Sequence, residues 1–357
     1  MKYYKKRPNV GPNAVGPNAV GPNAVGPNAV GPNAVGPNAV GPNAVGPNAN
    51  KINNTLLLKE YIKALIQNVD DHNFPKEMNL IFDGGMFNCG FAAGIAMYIK
   101  SLENNQRVKI NQVSGCSAGA FVALWFVCGC DERCITYFEE IMEIFKTKVS
   151  FHHISAIITK AVNELFESSL LLSRLLNNRL FINYYDTQKH TQKVVSKYKS
   201  KAHLIRCLLR TIHIPYIING ESRCHDKYID GLVPFIFKNN CDSLFVKLVT
   251  IKTWSRAFML KSEKNIHYRL LAGVSDANNF FTNGLSDMCC LTSKRSYVDI
   301  FLLRSREISF IFMFSVIEWL FIFKKYIPSF IEQTLIYNGI INVLKNTALD
   351  IVVKTLG

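Results

Sequence analysis

The sequence predicts an α/β fold built around a mostly parallel sheet, and three observations carry that expectation. The first is Asn79-Leu80-Ile81-Phe82, a short apolar run that ends in Asp83-Gly84-Gly85 and leads into a helical pattern from Phe87 to Leu102. The second is the stretch from Val108 to Ser114, where apolar residues alternate with polar ones. It turns through Gly115-Cys116-Ser117-Ala118-Gly119 into the apolar, helix-like run Ala120 to Val127. Strand, glycine turn, helix, strand, sharp turn, helix needs crossover connections, and crossovers place consecutive strands parallel. The third is Ser243 to Lys252, which reads as a later strand after further helical sequence.

The remaining elements follow in chain order. From Gly11 to Asn50 the chain is eight copies of Gly-Pro-Asn-Ala-Val, the last ending in Asn50. Each copy carries a Pro-Asn pair suited to a type II turn. One valine in five residues offers too little apolar surface to offset the entropy of ordering. Residues 1–50 therefore read as a disordered repeat segment. Leu56 to Val69 has helical spacing and marks a leading helix within residues 51–75, ended by Pro75. Residues 76–260 read as one α/β domain. Within it, Asp131 to Lys146 and Ile154 to Asn178 are amphipathic helical stretches, the second a cap or lid over the sheet. Lys189 to Lys201 is polar and basic, a solvated face. His203 to Ile218 is an apolar run broken by Pro215, and Asn219-Gly220-Glu221-Ser222 turns the chain toward Tyr228-Ile229-Asp230-Gly231.

Residues 261–357 read as a mainly helical C-terminal region. Its most apolar part, Ile308 to Phe323, is flanked by Arg304, Arg306, Lys324 and Lys325. It falls short of the ~20 residues a spanning helix needs, and Glu318 lies inside it. Two readings stand: a buried core helix, or a membrane-interface helix with basic flanks.

The formal net charge of +15 favours anionic surfaces. No zinc-finger spacing or other nucleic-acid module is visible, so no nucleic-acid partner is expected. The ten cysteines form no compact disulfide framework, and Met1 to Arg7 is basic with no apolar stretch behind it. These features predict an intracellular protein without a signal peptide, compatible with peripheral membrane association. Cys128, Cys130 and Cys134 lack a second ligand pair at a standard spacing, and His152, His153 and His225 lack metal spacing. No metal is expected. Glycines at 84, 85, 90 and 94 do not make G-x-G-x-x-G, so a dinucleotide loop is excluded.

The chemistry centres on Gly115-Cys116-Ser117-Ala118-Gly119, a G-x-S-x-G pentapeptide between a strand and a helix. The glycines permit a tight turn that leaves Ser117 at its apex and turns Cys116 inward. The helix beyond offers N–H groups and partial positive charge to an oxyanion. The same turn also fits a small-residue packing turn with no chemistry. A serine nucleophile needs a cradle and a base. Backbone N–H groups of Gly84, Gly85 and Met86 are the candidate oxyanion hole, against the plainer reading of a helix N-terminus capped by Asp83. Asp230, before Gly231, is the candidate proton acceptor, although Asp-Gly is also a common turn.

In this order the three motifs, Asp83-Gly84-Gly85, Gly115-Cys116-Ser117-Ala118-Gly119 and Asp230-Gly231, resemble the patatin-like phospholipase family. Leu209-Arg210-Thr211-Ile212-His213-Ile214-Pro215 is similar to that family's R-x-S-x-x-x-P stretch, with threonine for serine. The resemblance covers about residues 76 to 255. It implies a three-layer α/β/α domain and a Ser117–Asp230 dyad with no metal or cofactor. It also implies a phospholipase A-type activity on phospholipid or other lipid esters at a membrane surface. Two departures matter. The family's loop reads G-G-G-x-[RK]-G, whereas here Met86 replaces the third glycine and the basic residue is missing. Backbone donation survives Met86 if its φ is negative. After Asp230-Gly231, Leu232 replaces a small residue. Two other readings remain: an α/β-hydrolase triad using His267, the one histidine after Asp230, and a catalytically weak or inactive lipid-binding protein.

Overall fold

The computed structural model describes residues 47–69, 74–148, 151, 153–215, 218–238, 241–249, 266–294 and 297–324. The chain divides into two units, residues 1–57 and 58–357. Of the first unit, the described residues 47–57 are helical and belong to α1 (Pro47–Ile66). The helix thus begins inside the last repeat, earlier than expected. Proline suits a first helical position because its missing N–H has no intrahelical partner there anyway. The rest of the repeat lies outside the described residues.

Among the described residues, the second unit is built on a seven-stranded sheet. In chain order the strands are β1 (Glu77–Phe82), β2 (Lys109–Cys116), β3 (Leu180–Asp186), β4 (Thr191–Val195), β5 (Tyr228–Ile229), β6 (Ser243–Val246) and β7 (Cys289–Leu291). They lie in the order β4-β3-β2-β1-β6-β7, with β5 also on β3. The four central strands, β3, β2, β1 and β6, run parallel. Strands β4, β5 and β7 pair antiparallel at the margins. The α/β expectation with a mostly parallel sheet therefore holds. Strand β1 is buried from Met78 to Phe82, as a parallel strand covered on both faces must be.

Two stretches differ from the sequence reading. Leu180 to Asp186 is a strand, with no alternation in its sequence to mark it. Part of the basic segment Lys189 to Lys201 forms the edge strand β4, where lysine discourages further strand pairing.

The helices are α2 (Cys89–Asn104), α3 (Ala118–Val127), α4 (Arg133–Lys148), α5 (Ile154–Leu165), α6 (Ser169–Leu176), α7 (Lys201–Thr211), α8 (His267–Asn283) and α9 (Tyr297–Lys324). The single stretch expected over Ile154 to Asn178 is two helices. Ser168 caps the second by accepting a hydrogen bond from Leu171 N–H at 3.2 Å.

Residue 260 lies outside the described residues, and the elements after it pack on those before it. Strand β7 continues the sheet by pairing with β6, and α8 lies directly on α2. A Cβ at Gly273 would sit 2.0 Å from the Phe91 carbonyl oxygen, so the two backbones touch where only hydrogen fits.

Helix α9 has two unlike sides. Phe301, Ile308, Phe312 and Trp319 recur at spacings that put them on one stripe, and each is more than 60% exposed. Roughly opposite, Phe314 is buried against Tyr185, Ile229 and Leu232, with Ile311 beside it. A helix buried on all sides does not describe Ile308 to Phe323, since one side packs and the other faces outward. No described helix is long and apolar enough to cross a membrane.

Candidate active site

Ser117 sits where β2 ends and α3 begins, with φ 50° and ψ −134°. That conformation costs a non-glycine residue on the order of 1–3 kcal/mol, and the neighbouring packing enforces it. A Cβ at Gly119 would lie 2.2 Å from the Asp83 carbonyl oxygen. The first turn of α3 is therefore pressed onto the end of β1, and the chain must turn sharply at Ser117 to get there.

Hydrogen bonds then fasten the elbow. Ser117 N–H donates to Thr211 Oγ1 at 2.8 Å, and the Thr211 hydroxyl donates to the Asn183 carbonyl at 2.7 Å. Thr211 ends α7 and Asn183 lies within β3. Asn183 also organises the loop after β5. Its Nδ2 donates to the carbonyls of Gly231 (3.0 Å) and Val233 (2.7 Å), and its Oδ1 accepts from Phe235 N–H at 3.1 Å. Asp230 N–H donates to the His213 carbonyl and Gly231 N–H to the Thr211 carbonyl. Thr211 and Asn183 thus tie together the Ser117 and Asp230 motifs, which are far apart in sequence. Of these two, only Thr211 lies in a sequence motif; β3 and its Asn183 carry no local signature.

Asp230 is buried, with 6% of its surface exposed. Burial pushes its carboxyl up to about 6, and the charge of Asp83 adds to the rise. The Ser117 side chain, the Leu232 N–H and Arg306 oppose it. Leu232 N–H donates to Asp230 Oδ1 at 2.9 Å, while Oδ2 has no fully formed hydrogen bond. Ser117 is thus close enough to act on the Asp230 carboxylate, across a gap looser than a complete hydrogen bond. Catalytic hydrogen bonds are often long before substrate arrives.

The predicted oxyanion loop is placed beside the elbow: a Cβ at Gly84 would lie 3.1 Å from Ser117 Cβ. Two of its properties differ from expectation. Gly84 N–H is taken by Asp83 Oδ1 at 2.9 Å. Met86 has φ 45°, so the condition for easy substitution of glycine is not met there. Met86 and Ala118 do line the same cavity as Ser117.

That cavity, of about 130 Å³, is walled by side chains such as Phe121, Trp125, Phe138, Phe151 and Leu208, with Ser117 in its lining. Helices α3, α4 and α5 supply much of the wall, so part of the expected cap region shares this cavity with Ser117.

Cys116 is fully buried, and burial holds its thiol well above the ordinary range, with Asp83 and Asp230 reinforcing the effect. It is not placed as a nucleophile. His267 opens α8, the partner of α2. Among the described residues no group of three His, Cys, Asp or Glu side chains is arranged to hold a metal ion.

Besides Asn183, a second residue of the site lay outside every motif. Arg306, on the packed side of α9, donates from Nη1 to Asp83 Oδ2 at 2.8 Å and from Nη2 to Asp83 Oδ1 at 2.6 Å. Nη2 also reaches the Leu232 carbonyl at 3.3 Å. In the sequence Arg306 was visible only as a basic flank.

No family model and no curated protein sequence matches this chain.

Proposed function

We propose that this chain is a lipid acyl hydrolase of the patatin-like kind, of phospholipase A type, working through a Ser117–Asp230 dyad in a three-layer α/β/α domain. The observation that carries the reading is Ser117 at a strained elbow, beside a buried aspartate, in the lining of an apolar cavity. The cavity suits a fatty-acyl chain, and the dyad suits an ester carbonyl presented at its mouth.

In the reaction Asp230 takes the Ser117 hydroxyl proton as Oγ bonds to the ester carbonyl carbon. The carbonyl oxygen becomes an oxyanion against backbone N–H groups from the Gly85–Met86 loop and the start of α3. The tetrahedral intermediate collapses, the alkoxide leaves with the proton held by Asp230, and the acyl group remains on Ser117. Water, deprotonated by the same carboxylate, then releases the fatty acid and restores the serine. No step calls for a metal or a cofactor.

A membrane surface is the proposed source of substrate. The outward stripe of Phe301, Ile308, Phe312 and Trp319 on α9, together with the net charge of +15, supports that partner.

A second reading, a lipid-binding protein of little or no activity, is favoured by the engaged Gly84 N–H and the positive φ at Met86. The test is fatty-acid release from mixed phospholipid vesicles by wild type, Ser117→Ala and Asp230→Asn. The hydrolase reading expects release by wild type alone. Vesicle binding by all three with no release from any would replace it with the lipid-binding reading.

A further inference from the structure

Arg306 belongs to α9, far in sequence from the motifs, yet its guanidinium grips Asp83 with Nη1 and Nη2 and touches the carbonyl of Leu232. Asp83 opens the loop beside the elbow and holds Gly84 N–H on its own Oδ1. Leu232 closes the turn that holds Asp230 through its N–H. One side chain therefore bridges the two loops that flank Ser117. A fork matched to a carboxylate is the strong, geometrically specific form of this contact. No basic residue lies between Asp83 and Gly90, so the loop itself supplies no such cation.

We propose that Arg306 is a positioning residue for the Ser117–Asp230 pair, holding the Asp83 loop against the Asp230 loop and balancing the two carboxylates there with one cation. The proposal deepens the hydrolase reading and rests on it for its catalytic meaning. Its physical content is independent of turnover, because Arg306 and Asp83 act on Asp230 with opposite signs.

The groups acting on the Asp230 carboxyl from the surrounding elements are Ser117 at the elbow, Leu232 in its own turn, Arg306 on α9 and Asp83 after β1. Arg306 favours the ionised form and Asp83 the protonated form. Removing either therefore moves Asp230 in a predictable direction. Arg306→Gln shifts its titration to higher pH. Asp83→Asn, which leaves the cation, shifts it to lower pH. Arg306→Lys keeps the charge and loses the fork.

The experiment follows the Asp230 carboxyl by carbon NMR in aspartate-labelled full-length protein, the resonance being identified by its disappearance in Asp230→Asn. The expected result is an upward shift in Arg306→Gln and a downward shift in Asp83→Asn. The paired variant Asp83→Asn/Arg306→Gln removes one charge of each sign, keeps the test open if a single variant fails to fold, and titrates between the two. In hydrolysis assays the acid limb of kcat/KM follows the same order. Arg306→Lys keeps the acid limb near wild type while kcat falls, a misplaced site losing on the order of 100-fold. A titration of Asp230 that is unmoved in the folded variants overturns the proposal. If the wild-type protein hydrolyses no ester while the NMR shifts appear as stated, the hydrolase reading fails and the placement of Arg306 stands.

Discussion

Asp230 is a buried carboxylate whose Oδ2 has no fully formed hydrogen bond among the described residues, so ionising it in the folded chain is costly. Its carboxyl rises from an ordinary value of 3.8 to about 6. At about 1.4 kcal/mol per unit this corresponds to roughly 3 kcal/mol. The sign follows from linkage: because the folded value lies above the unfolded one, the contribution is present in full at low pH. It is lost as pH rises from 3.8 through about 6. The proposed role as general base needs the ionised form, so under that proposal stability and activity make opposite demands on one residue. Asp230→Asn should raise the unfolding free energy at neutral pH by up to about 3 kcal/mol and abolish ester hydrolysis. Urea titrations at acidic and neutral pH check this, with the advantage of the variant vanishing at the acid end. A variant no more stable than wild type at neutral pH would mean that the carboxylate is better solvated than its burial indicates. Ser117 was legible from its pentapeptide, because a strand-to-helix turn bounded by glycines leaves a local signature. Asp230 was legible only from its place in the order of motifs. Arg306 left no such mark, since its role depends on which side of a long helix meets the sheet.

Among the elements, α7 and β3 do for the site what the motifs alone cannot. Thr211 receives the N–H of Ser117 and passes a hydrogen bond to the Asn183 carbonyl, while Asn183 holds the carbonyls of Gly231 and Val233. Thr211→Val keeps the shape and removes the hydroxyl, leaving Ser117 N–H and Asn183 C=O buried without that partner. Each such group costs about 1–3 kcal/mol, so the variant should lose stability within that range or above it. Catalysis should fall further than stability accounts for, since the elbow is no longer latched. Thr211→Ser retains the hydroxyl, should retain kcat, and gives up only the methyl packing, about 1 kcal/mol. Equal losses in the two variants, measured by denaturant unfolding and by turnover of a soluble ester, would mean that the latch is packing and not hydrogen bonding. Strands β1 and β2 were readable because each is followed at once by a glycine turn and a helix. Strand β3 was not: Leu-Phe-Ile-Asn-Tyr-Tyr-Asp is neither alternating nor bounded by a motif, and its assignment comes from pairing with β2 and β4. The break between α5 and α6 was hidden for a related reason. Ser168 acts as a cap only if the helix has already ended at Phe166.

At the scale of the whole second unit, α9 joins the site to the outside. Its packed side sends Arg306 to Asp83 and Phe314 into the cluster with Tyr185, Ile229 and Leu232. Its other side presents Phe301, Ile308, Phe312 and Trp319 at 69%, 66%, 69% and 64% exposure. An apolar stripe of that length is unfavourable in water and favourable at a lipid boundary, where aromatic side chains settle at headgroup level. Burying a phenylalanine contributes roughly 1.5–3 kcal/mol. Replacing Phe301 and Phe312 together by glutamate should therefore weaken binding to anionic vesicles by at least about tenfold, at 1.4 kcal/mol per factor of ten. Neither residue lies on the side of α9 that carries Arg306, so turnover of a soluble ester should stay at the wild-type level while release from vesicles falls. Flotation with anionic and neutral vesicles separates the two forces at work. Added salt should weaken the anionic case through screening of the basic charge, and the glutamate variant should be weaker on both. If the variant floats as well as wild type, the stripe does not meet lipid, and substrate must reach the cavity from another side of the molecule. If it loses vesicle hydrolysis and soluble-ester hydrolysis together, α9 is needed to hold the site itself, and the contact from Arg306 to Asp83 becomes the first place to look.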